Sequence, residues 1–245
     1  MAILVTRPLP DGESTAGALR ARGFKVLLAP MLRFEPVAFH DDGDTSYGAV
    51  VVTSANALRA IAPRLSGSPL LKLPLFAVGE HTADAARAAG FANIISAESD
   101  AAGLRDRVLA SVRAKALKKT SPLLYLAGAD LARDLPGELG ERGFTVVTQT
   151  TYRMVAVPSL PEETRRAFAN NEVNAVLHYS RRSARAFIEA VRAAGVEISA
   201  LSLPQGCLSA GIATVLRDAG AARLFVAPSP DEAALFVALA GALQV

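Results

Sequence analysis

One stretch of this chain is written twice, and the repeat restricts the possible architectures more than any other feature. Ala49 to Ile61, AVVVTSANALRAI, is echoed 126 positions later by Ala175 to Phe187, AVLHYSRRSARAF. Ala, Val, Ser, Arg and Ala recur in register, and Phe187 stands where Ile61 stands. The first copy opens on four apolar residues rich in β-branching, too short a run for a helix. Thr53 and Ser54 then place hydroxyls where a helix needs a cap. Such a turn presents unpaired backbone N–H groups, which suit an anion.

The echo extends further, and its order is permuted. Ala77 to Gly90 matches Cys207 to Gly220 at an offset of 130, and Ile94 to Asp100 matches Leu224 to Pro230 at the same offset. Leu124 to Val146 finds its partner earlier instead, at Leu4 to Val26, an offset of 120. One copy is therefore continuous and the other is split between the two ends of the chain. Apolar runs alternate with helical patterns throughout, as parallel sheets built from βα units require. The expectation is an α/β protein of two flavodoxin-like parallel-sheet domains, the second inserted in the first. Residues 1–35 with 155–245 form the discontinuous domain and 38–150 the inserted one. A two-segment extended linker joins them, with crossings near 30–37 and 151–158 that pair as a small ladder. Five parallel strands are expected in each domain, with ligand-facing turns at their carboxyl ends.

Local signals set finer expectations. A helix is predicted from about Ser14 to Arg22, closed by Gly23. Pro30 to Asp44 reads as a linker with a turn over His40 to Asp44. Gly79 to Thr82 reads as a turn before a helix over Ala83 to Ala89. Further helices are predicted over Ala101 to Leu117 and, after the Gly128-Ala129-Asp130 turn, to about Arg142. Thr145 to Thr150 reads as a strand, and Thr151 to Pro158 continues extended.

Composition excludes several classes. Half of the 245 residues are apolar and a fifth are charged, so the chain can bury a core and is not a disordered sequence. No apolar run approaches the roughly 20 residues of a membrane span. The opening MAILVTRP has no basic leader before an apolar run, so no signal peptide and a cytoplasmic location are expected. Cys207 is the single cysteine, which rules out an intrachain disulfide; its place inside a strand predicts a buried structural thiol. The formal charge of +3 comes without a basic block beyond the solvated RAKALKK stretch, Arg113 to Lys119, and there is no Trp. An acidic small molecule fits this balance better than nucleic acid.

The strand-end turns carry small hydroxyl residues or glycine: Thr6-Arg7, Thr53-Ser54, Gly79, Gly128, Ser180 and Ser209. Open α/β sheets bind ligands there, although each hydroxyl alone is equally a helix cap. His40, His81 and His178 share no metal-ligand spacing, and the sequence has no GxSxG, GxGxxG or Walker loop.

VTRP (Val5 to Pro8), VVVTSANAL (Val50 to Leu58), AVGEHTADAARAAGF (Ala77 to Phe91) and Tyr152 at the second crossing together resemble the uroporphyrinogen-III synthase family. The resemblance spans essentially the whole chain, including the permuted plan. One departure is clear: the family's second serine turn is of Ser-Pro-Ser type, whereas this chain has Ser180-Arg181-Arg182-Ser183. The resemblance implies a cyclising lyase of tetrapyrrole (haem, sirohaem and cobalamin) biosynthesis that needs no cofactor. It would convert linear hydroxymethylbilane to uroporphyrinogen III with ring D inverted and water lost. It also implies a monomer that receives the bilane from hydroxymethylbilane synthase, with neither nucleic acid nor membrane as partner. Tyr152 is the expected acid catalyst, matching the family's tyrosine at the domain crossing. Thr6, Arg7, Ser54, Asn56, Thr82, Ser180, Arg181 and Ser209 are the expected substrate contacts, through side chains or adjacent N–H groups. The competing expectation is a non-catalytic two-lobed binding or sensor protein.

Overall fold

The computed structural model describes residues 1–39, 45–97, 101–131 and 133–243. The turn expected over His40 to Asp44, and the end of the Ile94 echo from Glu98 to Asp100, lie outside the described residues. In chain order the elements are β1 (Ala2–Val5), α1 (Asp11–Arg20), β2 (Lys25–Leu28), β3 (Leu32–Pro36), β4 (Ala49–Val52) and α2 (Ala55–Ile61). There follow β5 (Leu75–Val78), α3 (Gly79–Ala88), β6 (Ile94–Ala97), α4 (Ala101–Arg113), β7 (Leu123–Gly128), α5 (Leu135–Gly140) and β8 (Val146–Ala156). The remainder is α6 (Glu162–Ala169), β9 (Val173–His178), α7 (Arg181–Ala193), α8 (Glu197–Ser202), β10 (Gln205–Cys207), α9 (Ala210–Asp218), β11 (Leu224–Val226) and α10 (Glu232–Leu243).

The chain divides into two compact units: Met1–Phe34 with Val155–Val245, and Glu35–Met154. The first unit holds a five-stranded sheet in the order β11-β10-β9-β1-β2. The other sheet has six strands in the order β3-β8-β7-β4-β5-β6. The pairs from β4 to β8, and all those of the five-stranded sheet, are parallel. Strands of this kind are covered on both faces, which is why β1 and β4 are buried along their whole length. β3 runs antiparallel to β8, since Val37 N–H donates to Thr151 O and Val157 N–H to Met31 O.

The internal repeat persists in the strand registers. Val50 lies opposite Leu75 and Leu124, and the equivalent Val176 lies opposite Gln205 and Leu4. Leu75 faces Ile94 as Gln205 faces Leu224, and Leu123 faces Val146 as Ile3 faces Val26. The helix ends repeat as well. Gly23, Gly90, Gly143 and Gly220 all have φ between 81° and 103°, past the ends of α1, α3, α5 and α9. In each case the next residue's N–H reaches back to a helix carbonyl five positions earlier, the closure that needs a left-handed glycine. Alternation along β4 sends Val50 and Val52 into one core layer and Ala49 and Val51 into the other.

Several boundaries differ from expectation. α1 begins at Asp11 rather than about Ser14, because Gly12 N–H already bonds to Pro8 O and Asp11 and Glu13 load the first turn with acid. α3 begins at Gly79, so the expected Gly79–Thr82 turn is the first turn of that helix; Gly79, at φ 72°, makes the bend. α4 ends at Arg113 rather than Leu117, with Lys115 at φ 59° ending the helical path. α5 is only Leu135–Gly140, started by Asp134 capping Gly137 N and by a proline in its first turn. The strand read over Thr145 to Thr150 and the extended stretch after it form one strand, β8, from Val146 to Ala156. No helix among the described residues is long and apolar enough to cross a membrane.

His178, at the end of β9, is fully buried and edge-on to Phe187, with ring centroids 5.1 Å apart. The Gln205 amide donates to Ala200 O and Leu203 O, so its oxygen faces His178 Nε2 at 2.9 Å and assigns the proton to that nitrogen. Burial pushes this imidazole down to about 4. The folded protein thus refuses a proton that the unfolded chain accepts below about pH 6.5. The stabilisation is complete above that value and is lost as pH falls toward 4, by about 3 kcal/mol in all. Urea midpoints measured from pH 7 to 4.5 should fall more steeply for the wild type than for His178→Asn. Parallel pH slopes in the two proteins would rule this out.

Candidate functional site

In a parallel sheet all carboxyl ends point one way, so the strand-end turns of each unit form a rim. In unit 2 the rim runs from β8 through β7 and β4 to β5. The registers shift between Ala127 and Gly128, so that Tyr152 lies opposite Gly128. This bulge divides two neighbouring residues between different jobs. Thr151 is buried and donates its hydroxyl to Ala127 O at 3.1 Å. Tyr152 is half-buried, with its ring over Gly128, while its carbonyl accepts from Ala129 N–H at 2.9 Å. A Cβ at position 128 would stand 2.7 Å from Tyr152 Cζ and 2.9 Å from its hydroxyl oxygen, so only glycine fits beneath the ring as it is placed.

Beside Tyr152 lies the start of α2. Ser54 is its N-cap, accepting from Asn56 N–H at 3.3 Å. Asn56 extends its Nδ2 toward Met154 Sδ at 3.9 Å and accepts from Arg59 at 2.6 Å. Met154 and Tyr152 are alternate residues of β8 and share a face, so the structure gathers Ser54, Asn56 and Tyr152 into one neighbourhood. Thr53 and Tyr125 join their hydroxyls at 3.0 Å on the same rim. Burial of the Tyr125 phenol raises its pKa, so it remains a proton donor. Thr82 is buried within the first turn of α3.

In unit 1 the rim runs from β10 through β9 to β1. Ser180 caps α7, accepting from Ser183 N–H at 3.0 Å and meeting the Ser183 hydroxyl at 2.8 Å. Ser54 and Ser180 thus repeat each other as caps, with φ of −150° and −152°. Ser209 precedes α9 without capping it through its side chain. Arg181, first in α7, has its Cδ within 3.5 Å of where a Gly211 Cβ would stand, which brings Ser180, Arg181 and the Ser209 turn together. Thr6 is buried and donates both its N–H and its hydroxyl to Leu177 O, at 3.2 and 2.9 Å, and so holds β1 to β9.

Arg7 sits in a network that the sequence did not reveal. Its guanidinium lies 4.8 Å over the Tyr179 ring and pairs with Asp11 at 3.2 Å and with Glu232 at 3.3 Å. Glu232 Oε1 also accepts from the Thr15 hydroxyl and from Tyr179 OH at 3.1 Å. The partners stand up to 225 positions apart, so no spacing rule could have joined them. Burial first, and then the Glu232 carboxylate, push the Tyr179 phenol far above its ordinary value and keep it a donor. Burial likewise pushes the Cys207 thiol up to about 12, consistent with an inert core sulfur. Among the described residues no group of three or more His, Cys, Asp or Glu side chains is arranged to hold a metal ion. A cavity of about 470 Å³ lies at the opposite, amino-terminal ends of the unit 1 strands, lined by Met1, Val173, Asn174, Pro204 and Arg223. None of the expected site residues lines it.

Comparisons with known proteins fit this frame. A family model described as HEM4, uroporphyrinogen-III synthase HemD, matches residues 13–237. No curated protein matches the sequence. Among solved structures, a uroporphyrinogen-III synthetase from Helicobacter pylori is similar with a TM-score of 0.65 and 18% identity, over 99% of each chain. A mutant uroporphyrinogen III synthase from Thermus thermophilus is similar with a TM-score of 0.60 and 17% identity, over 100% of this chain and 99% of that one. At such identities these two likenesses establish the α/β fold with parallel sheets.

Proposed function

This chain belongs to the uroporphyrinogen-III synthase family, and from that premise we propose how its residues carry the reaction. The protein is a cyclising lyase of tetrapyrrole biosynthesis, a uroporphyrinogen-III synthase. It converts linear hydroxymethylbilane to uroporphyrinogen III with ring D inverted. The hydroxyl leaves as water to give an azafulvene. Ring D is attacked at its substituted carbon, and the resulting spiro intermediate fragments and recloses.

The bilane cyclises unaided to the wrong isomer, so the protein must chiefly hold one folded conformer. Tyr152 is the proton donor to the departing hydroxyl. The observation that carries this reading is the bulge at Ala127/Gly128, which sets Tyr152 half-buried at the margin of the core, over the one residue type that leaves room for it. The substrate's acetates and propionates are received at the strand-end turns: Ser54 and Asn56 at the start of α2, and Ser180, Arg181 and the Ser209 turn in unit 1. Arg7 joins them as a guanidinium already held by two carboxylates. Thr6 and Thr82, both buried, contribute by fixing their neighbours or through backbone groups.

Within this reading the two units are flavodoxin-like domains with the second inserted in the first. Counted along the chain, the five-stranded sheet has the order 2-1-3-4-5; β4 to β8 of the other read 3-2-1-4-5, which becomes the same order when β7 and β8 are counted before β4, with β3 added at the edge. The protein works as a cytoplasmic monomer supplied by hydroxymethylbilane synthase. Nothing observed favours a non-catalytic binding protein. The test is direct: freshly made hydroxymethylbilane is supplied and the product isomers are resolved. Type III isomer formed faster than the spontaneous background is the expected result. Type I isomer alone, at the spontaneous rate, would refute it.

A further inference from the structure

We infer that Glu232 is the positioning residue of the unit 1 rim. One carboxylate oxygen at the start of α10 gathers donors from three other parts of the unit: Arg7 after β1, Thr15 in α1 and Tyr179 after β9. Tyr179 immediately precedes Ser180, the cap of α7. Holding the Tyr179 hydroxyl therefore fixes the turn that presents Ser180 and Arg181. The same oxygen, with the Tyr179 ring beneath, fixes the Arg7 guanidinium in one plane. Glu232 and Arg7 are each about two-thirds covered, so their pairing is more than a solvated surface contact. Glu232 itself does not attract an acidic substrate; it acts by holding the Arg7 guanidinium, which pairs with both Asp11 and Glu232. Its use is geometric: a carboxylate accepts several donors at one oxygen, which a neutral amide does less well.

The inference rests on the reading that this rim receives substrate. Glu232→Gln and Tyr179→Phe are the test variants, assayed with hydroxymethylbilane beside the wild type and Arg181→Gln. Glu232→Gln should raise KM about tenfold, the loss of roughly one charge-assisted contact, and leave kcat within about twofold. Tyr179→Phe keeps the ring under Arg7 and removes only the hydroxyl, so it should raise KM in the same direction with a well-folded protein. The double variant should be no worse than the worse single, because both act through one network. A KM unmoved in both variants while Arg181→Gln raises it would overturn the positioning role alone. A KM unmoved in all three would overturn the substrate-rim reading and the inference with it. Multiplicative effects in the double variant would also overturn it, because they would separate Glu232 from Tyr179.

Discussion

Tyr152→Phe is expected to lower the kcat for type III isomer about hundredfold, the usual scale for a lost general acid, and to leave KM within about threefold. The ring and its place over Gly128 are kept, so the variant should still fold. The bilane still cyclises without help, so the product should swing toward the type I isomer. Gly128→Ala tests the same geometry from the other side. Its new methyl would stand 2.7 Å from Tyr152 Cζ, closer than any real contact, so the ring must move. Activity should fall in this variant although its phenol is intact. The double variant should be no slower than Tyr152→Phe, because both changes remove one function. Full turnover by Tyr152→Phe would end the acid role and leave the tyrosine as a packing residue.

Most of the fold was legible because the chain states it twice. Strands such as Leu75–Val78 announce themselves as short apolar runs, and Gly23, Gly90, Gly143 and Gly220 mark helix ends by a backbone requirement that few other residues meet. Helix starts were less legible. Gly79 is both a bend and a first helical residue, and the sequence cannot show that its left-handed φ begins α3 rather than a longer turn. α6 was missed because its buried residues, Thr164, Ala167 and Phe168, make a thin apolar stripe in an otherwise charged segment. In the site, Ser54 and Ser180 were readable as caps from local pattern alone. The Glu232 network was not, because it joins the first strand's turn to the last helix. Nor was the burial of Thr6 and Thr82, since a hydroxyl at a strand end and one inside the core look alike until the neighbouring strand is in place.

Replacing Arg181 with glutamine is expected to raise KM about tenfold while stability holds or improves. The two signs come from one cause. Arg181 opens α7, a helix of 13 residues with no acid in its first turn. A cation there opposes the positive end of the helix dipole, at a cost of about 0.3–1 kcal/mol. The internal repeat supplies a control within the same chain: the equivalent position in unit 2 is Ala55, which starts α2 without charge. A helix start at this point of the repeat therefore forms without a guanidinium. A substrate carrying many carboxylates reverses that balance, since it meets an arginine and the N–H groups of a helix start together. Added salt should raise the wild-type KM and affect the variant much less, because exposed charges are screened over about 10 Å at 0.1 M. A lower thermal midpoint with KM unchanged would assign Arg181 to holding the fold and remove it from the substrate's path.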